Sequence, residues 1–248
     1  MGAAAADYGD APAVRPCFDL LRPRAGFAPR RRNQRFGSAI LHPSAEVSAM
    51  RVCVYCASSA SCDPIYHDAA RRLGALLARE QCTVVYGGGG VGSMGALADG
   101  ALDEKGSVVG IIPRFMTEVE WQHPGVLELD IVDDMRERKH RLLTGSDAVV
   151  ALPGGCGTLE EVFEAMTLKR LGIYFNPIIL VNTNGFYTGL QQFLQHTIDQ
   201  RMMSAAHGAM WQMVDDVEDV LPAIRATTPW PRDARSFAAM RGSESSTR

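Results

Sequence analysis

Lysine is scarce in this chain: three residues, Lys105, Lys139 and Lys169, in 248. None stands in a recognisable Schiff-base setting, which argues against pyridoxal phosphate chemistry. Long apolar runs are missing too. No stretch approaches the roughly 20 apolar residues that span a bilayer, and there is no secretory h-region. No membrane partner is expected. Net charge is −3, without the basic excess that marks a nucleic-acid partner. Six cysteines do not suggest a disulfide scaffold in a chain this long. A reducing cytoplasm is the expected compartment. Cys53 and Cys56 form C-x-x-C inside a strand-like run, with no second pair at zinc spacing. They read as buried strand residues. His67, His123, His140 and His207 fall at no recognisable metal spacing, so no metal is expected. Internal repeats are absent.

What is present divides unevenly. Residues 1–49 hold seven Arg, four acids and five Pro, with no sustained period. They are expected to be a disordered extension. Their Arg content allows a transit peptide, but the prolines oppose a long amphipathic helix. Met50 immediately precedes a clean strand and is an alternative start. The remainder carries 18 basic and 24 acidic residues. Between 50 and 226, strands and helices alternate. Strands are expected at Val52–Tyr55, Thr83–Tyr86, Ser107–Ile112, Leu127–Val132, Ala148–Leu152 and Pro177–Val181, with a short edge strand near Trp211–Val214. Asp63-Pro64 opens the first helix as N-cap and N1. Asp133 or Asp134 caps another, and a last helix is expected from about Val217 to Ala226. Residues 227–248 read as a polar, flexible tail. The pattern predicts an α/β fold: a Rossmann-like, doubly wound parallel sheet with helices on both faces. Ligands in such sheets bind beyond the carboxyl ends of the strands.

The stretch that organises the chain is Pro153-Gly-Gly-Cys-Gly-Thr-Leu-Glu-Glu161. An apolar strand leads in and a helix leads out. Pro153 ends the strand because it offers no N–H. Gly154, Gly155 and Gly157 permit positive φ and close approach of a ligand to the backbone. Thr158 reads as the N-cap, with Thr158-x-x-Glu161 spaced as a capping box. A helix start so placed presents free N–H groups and binds phosphate.

A second glycine loop, Gly87 to Gly95, contains G-x-G-x-x-G. A dinucleotide fingerprint would then place an acid at the end of the next strand. That strand ends Ile111-Ile-Pro-Arg114, so NAD binding is not supported. Neither loop carries the Lys-Ser/Thr of a P-loop, which argues against triphosphate hydrolysis. Asp133 to Arg141 is a charge run that reads as a solvated helix face, except that Arg138 and Lys139 lie on the helix entering the strand before the PGG loop. Arg offers a fixed, permanently charged fork for phosphate or carboxylate.

Met135-x-x-Arg-Lys139 followed by Pro153-Gly-Gly-x-Gly-Thr-x-x-Glu161 resembles the LONELY GUY family, the cytokinin riboside 5′-monophosphate phosphoribohydrolases. The likeness covers roughly residues 50–225. It includes Cys56-Ala-Ser-Ser59, Tyr86-Gly-Gly-Gly89, Gly110-Ile-Ile-Pro113 and Thr167-Leu-Lys-Arg-Leu-Gly172. The 49-residue extension departs from the family pattern. The resemblance implies a homodimer or higher homo-oligomer and hydrolysis of the N-glycosidic bond of a nucleoside 5′-monophosphate, with no cofactor. By analogy Arg138 and Glu161 are the catalytic pair. Glu120, Lys139, Gly154, Gly155, Cys156, Gly157, Thr158, Glu160 and Thr167 would line the nucleotide site. Cys156 fills the motif's variable position, so no nucleophilic role is implied. Three rival readings accompany this one. A lysine decarboxylase would need a pyridoxal phosphate lysine. A non-catalytic nucleotide-binding or carrier protein is compatible with the fold, though it would not need Arg138 and Glu161. A general nucleosidase acting on AMP would share the same site.

Overall fold

The computed structural model describes residues 49–118 and 122–238. Seven strands form one parallel sheet: β1 (Arg51–Tyr55), β2 (Thr83–Tyr86), β3 (Ser107–Pro113), β4 (Glu128–Val132), β5 (Ala148–Ala151), β6 (Ile178–Val181) and β7 (Gln212–Val214), in the order β4-β3-β2-β1-β5-β6-β7. β2, β5 and β6 are buried along their whole length and β1 from Val52 onward, as both faces of a parallel sheet require. Helices α1 (Pro64–Arg79), α2 (Gly92–Asp103) and α6 (Val220–Ala226) cover one face; α3 (Met135–Leu143), α4 (Cys156–Arg170) and α5 (Thr188–Asp199) cover the other. The expected Rossmann-like architecture is therefore what the chain adopts.

Local chemistry accounts for most boundaries. Asp63 accepts from the Ile65 N–H and Pro64 occupies N1 of α1, the arrangement the dipeptide predicts. Asp134 caps α3 by accepting from the Glu137 N–H at 2.8 Å. Strand β5 hands its last hydrogen bond, Leu152 N–H to Tyr55 O, to β1 just before Pro153.

Toward the C-terminus, two expectations are not met. The last helix is split: Val217–Asp219 is a 3-10 turn and α6 starts at Val220. Residues 227–238 are not a loose tail. Trp230 and Ala234 are buried with Met210, the Trp230 Nε1–H donates to Lys169 O at 2.8 Å, and the Arg235 Nε–H donates to Leu171 O at 3.0 Å. An aromatic ring with a polar handle outweighs the surrounding polarity. The expected extension, residues 1–49, lies outside the described residues save for Ala49, as do 239–248.

The chain steps outward from β1 through β2 and β3 to β4, then returns to place β5 against the other edge of β1. The order reverses between β1 and β5. The loops leaving those two strands, Cys56–Ser59 and Leu152–Gly155, therefore flank the switch point where such sheets bind ligands.

Candidate active site

A cleft of about 320 Å³ opens at that switch point, lined by Cys56, Ser58 and Ser59 after β1, Met94 of α2, Met116, Met135 and Arg138 of α3, and Gly155, Gly157, Thr158 and Glu161 at the start of α4. Arg138 is buried, yet its guanidinium is well held. Its Nε–H donates to Ile111 O at 3.2 Å and Nη2–H donates to Gly87 O at 3.3 Å. Gly87 makes this seat: a Cβ there would lie 2.3 Å from Nη2. Arg138 Nη1 stands 3.8 Å from Glu161 Oε1, with side-chain exposures of 7% and 12%. That is an ion pair in a shielded place, too long for a direct hydrogen bond. Burial first, and the Glu161 carboxylate second, push the Cys56 thiol up. Cys56 therefore stays a neutral lining group, not a nucleophile.

The PGG loop works differently from the expectation. None of Gly154, Gly155 and Gly157 has positive φ. Gly154 is there for packing, since a Cβ would sit 2.2 Å from Thr158 Oγ1. Helix α4 starts at Cys156 with Gly155 as N-cap and no side-chain cap. Thr158 is thus inside the helix and buried, so the capping box does not form. Gly155 and Gly157 face open space: a Cβ at either meets nothing within 4 Å. The first-turn amides lack a side-chain cap, at the positive end of a 15-residue helix.

Several proposed site residues are not gathered into this cleft. Lys139 pairs with Glu160 and, at 3.2 Å, with Glu164. The hydrogen bond to Glu160 is the main reason its ammonium titrates above the usual range. It borders a separate cleft of about 560 Å³ with Arg136, His140, Leu168 and Phe175, which does not reach Glu161. Thr167 is exposed farther along α4. Cys156 is exposed at the helix start, beside the cleft but not among its lining residues. Glu120 lies outside the described residues. Met94 and Met116 do line the cleft and carried no local sequence signal; the next loop brings Met116 there from the end of β3. None of the three lysines lines it. The groups of His, Cys, Asp and Glu among the described residues include no metal cluster, and no helix among them is long and apolar enough to cross a membrane.

Comparison with known proteins decides the family. A family described as "Possible lysine decarboxylase" matches residues 94–224. The cytokinin riboside 5′-monophosphate phosphoribohydrolase of Rhodococcoides fascians is 38% identical over 176 residues, 71% of this chain and 89% of that protein. The chain belongs to the LONELY GUY family. The Arabidopsis thaliana phosphoribohydrolase of the same name is 37% identical over 179 residues, 69% of this chain and 84% of its own. Among solved structures, a molybdenum cofactor carrier protein of Chlamydomonas reinhardtii superposes with a TM-score of 0.55 at 19% identity, covering 72% of this chain and 98% of that one. At that identity the likeness is one of fold. Within the LONELY GUY family, the Arg138–Glu161 pair is where the sequence resemblance and the geometry of this chain coincide.

Proposed function

We propose that this LONELY GUY protein hydrolyses the N-glycosidic bond of cytokinin riboside 5′-monophosphates, and of AMP, releasing the free base and ribose 5-phosphate. The observation that carries the reading is the shielded Arg138–Glu161 pair facing an uncapped helix start in one cleft. The substrate phosphate sits on the amides of Gly155 to Thr158, where the helix end favours an anion. The ribose then lies over Glu161. As the C1′–N bond lengthens, positive charge grows on the sugar. The Glu161 carboxylate stabilises that charge and takes a proton from the water that closes on C1′. Arg138, itself fixed by the carbonyls of Ile111 and Gly87, faces the carboxylate and keeps it oriented. Met94, Met116 and Met135 supply an adaptable apolar side for the base and an N6 substituent.

A second copy of this chain completes the molecule in the same proposal. Phe163 on α4, Leu171 at its C-cap and Ile173 just beyond are exposed, with the exposed Thr167 between the first two. Such an exposed, mainly apolar patch at the end of a helix suits a homodimer contact. Sedimentation should report a dimer for the wild type and a monomer for Phe163→Glu. A wild-type monomer at micromolar concentration removes the dimer from the proposal. The five cysteines of the described residues are free, which supports the reducing cytoplasm as the working compartment. The carrier reading gains no support of its own, because the Arg138–Glu161 pair has no task in it. Incubation with AMP and with N6-isopentenyl-AMP, followed by chromatography of released base, tests the function. Release of neither base refutes it.

A further inference from the structure

One reactive-looking pair lies outside the machinery above. Cys62, just before α1, and His67, one turn into it, bring Sγ and Nε2 to 3.0 Å. Both side chains are half-buried, so solvent and small solutes reach them. Each also touches one carbonyl: Ser59 O lies 3.1 Å from His67 Nε2 and 3.5 Å from Cys62 Sγ. Ser59 and its neighbour Ser58 form a wall of the cleft. Ser59 O can only accept, so His67 Nε2–H donates to it, and the same nitrogen lies within reach of the thiol as a proton relay: it releases that hydrogen and takes the thiol proton as sulfur attacks. Cys156 makes the contrast: it is more exposed, but no imidazole hydrogen-bonds to it among the described residues.

The loop that joins this pair to the cleft has no slack. Ala57 O accepts from the Met94 N–H at 3.1 Å. Gly92, at φ +66°, leaves room for the carbonyls of Ser58 and Ser59; a Cβ there would lie 2.8 and 2.5 Å from those oxygens. Oxidation replaces the S–H that Ser59 O accepts and offers His67 Nε2–H a new acceptor, so both hydrogen bonds on Ser59 O change. Ser59 is itself part of the cleft wall. We propose that Cys62 and His67 form a hydroperoxide-reactive thiol–imidazole pair, and that oxidation of Cys62 shifts the Ser58–Ser59 wall and weakens nucleotide binding. The coupling to nucleotide binding rests on the cleft assignment above. In the reaction the sulfur attacks one peroxide oxygen, forming the S–O bond as the O–O bond breaks. The thiol proton passes through His67 Nε2 to the departing oxygen, which leaves as water from hydrogen peroxide. The thiol is oxidised by two electrons to a sulfenic acid, and the peroxide is reduced by two.

The test treats the full chain with hydrogen peroxide and traps sulfenic acid with dimedone, with peptide mass spectrometry following Cys62 and Cys156 over time. Cys62 should label at least about tenfold faster than Cys156, and His67→Asn should slow Cys62 by about tenfold or more, the low end for removing a positioned base. Equal labelling of the two cysteines, or no effect of His67→Asn, overturns the proposal. In parallel, AMP binding by calorimetry should weaken after peroxide, recover after dithiothreitol, and resist peroxide in Cys62→Ser. Full labelling of Cys62 with unchanged AMP affinity overturns the coupling. The labelling arm does not depend on turnover, so it stands or falls apart from the phosphoribohydrolase reading; absence of AMP binding before any treatment would count against that reading instead.

Discussion

At the scale of single residues, the site separates side chains that act from side chains that make room. By the proposed function Glu161 is in the first group. Glu161→Gln keeps the size and hydrogen-bonding capacity of the side chain but loses the charge. No capping box forms at α4, so the loss is not one of helix capping, but the buried Arg138 loses its charge partner and the melting temperature should drop. Turnover, measured on the folded variant well below that temperature, should fall at least about a hundredfold, the scale of a positioned acid–base group. Near-wild-type base release from this variant would take Glu161 out of the chemistry. Gly87 and Gly155 belong to the second group and should fail differently. Gly87→Ala puts a methyl 2.3 Å from Arg138 Nη2. It should cost about 1–3 kcal/mol, as overpacking does, and lower kcat because the guanidinium is displaced. Gly155 is at φ −85° with open space where a Cβ would point. Gly155→Ala should leave stability unchanged and raise KM, because the methyl occupies the approach to the helix amides. Denaturant melts and steady-state kinetics on the two variants separate the roles; matching losses of stability would contradict the distinction. The sequence shows both glycines plainly but not their difference. Gly87 is explained by Arg138, 51 positions away, and no local rule links them.

At the scale of elements, α4 is held at both ends, and its far end carries a titration. Lys169 is buried, donating from Nζ to Asn176 O at 2.8 Å, with the Trp230 ring 5.7 Å away. Burial pulls its ammonium down to about 8 from 10.5. Below pH 8 folded and unfolded chains both hold this proton, so it gives no slope. Between 8 and 10.5 the unfolded chain binds more, so stability rises with pH. Above 10.5 both have released it. The gain has a ceiling of about 3 kcal/mol, reduced by whatever the Asn176 carbonyl and the indole contribute to holding the charge. Trp230→Ala should hydrate Lys169 and flatten that rise. Urea midpoints measured from pH 8 to 10 in both proteins check this; parallel slopes would show that Trp230 does not seal the lysine. The element boundaries were largely legible, because Asp63-Pro64, Asp134 and Pro153 act on their immediate neighbours. The start of α4 was not. Thr158 has the composition of a cap, but its hydroxyl packs against Gly154 and the helix begins two residues earlier. Nor was the strap over Lys169, since its contact with Trp230 spans 61 positions.

At the scale of the whole molecule, the alternation of strands and helices told the architecture, whereas the strand order did not follow from it. That order puts β5 beside β1 and so brings the PGG loop and the Cys56–Ser59 loop to opposite sides of one cleft. In the proposed reading, the arrangement sets the phosphate site at the helix start and Glu161 deeper along the same helix, joined by one rigid element. Glu161 is four residues past Gly157, about one turn or 6 Å of rise. A phosphate anchored on the amides thereby fixes how far the sugar extends toward the carboxylate. Its binding energy is then used to orient C1′, so losing it should lower kcat as well as raise KM. We expect kcat/KM for adenosine to fall below that for AMP by about a thousandfold, equivalent to about 4 kcal/mol at a factor of ten per 1.36 kcal/mol. The isopentenyl riboside and its monophosphate should differ by the same factor, because the proposal puts the base at the methionine side and not at the helix start. Base release from both pairs at equal concentrations gives the comparison. Equal rates with and without phosphate would remove the helix start from the site and describe an ordinary nucleoside hydrolase. A phosphate effect confined to KM would mean that the anchor binds the substrate without positioning it.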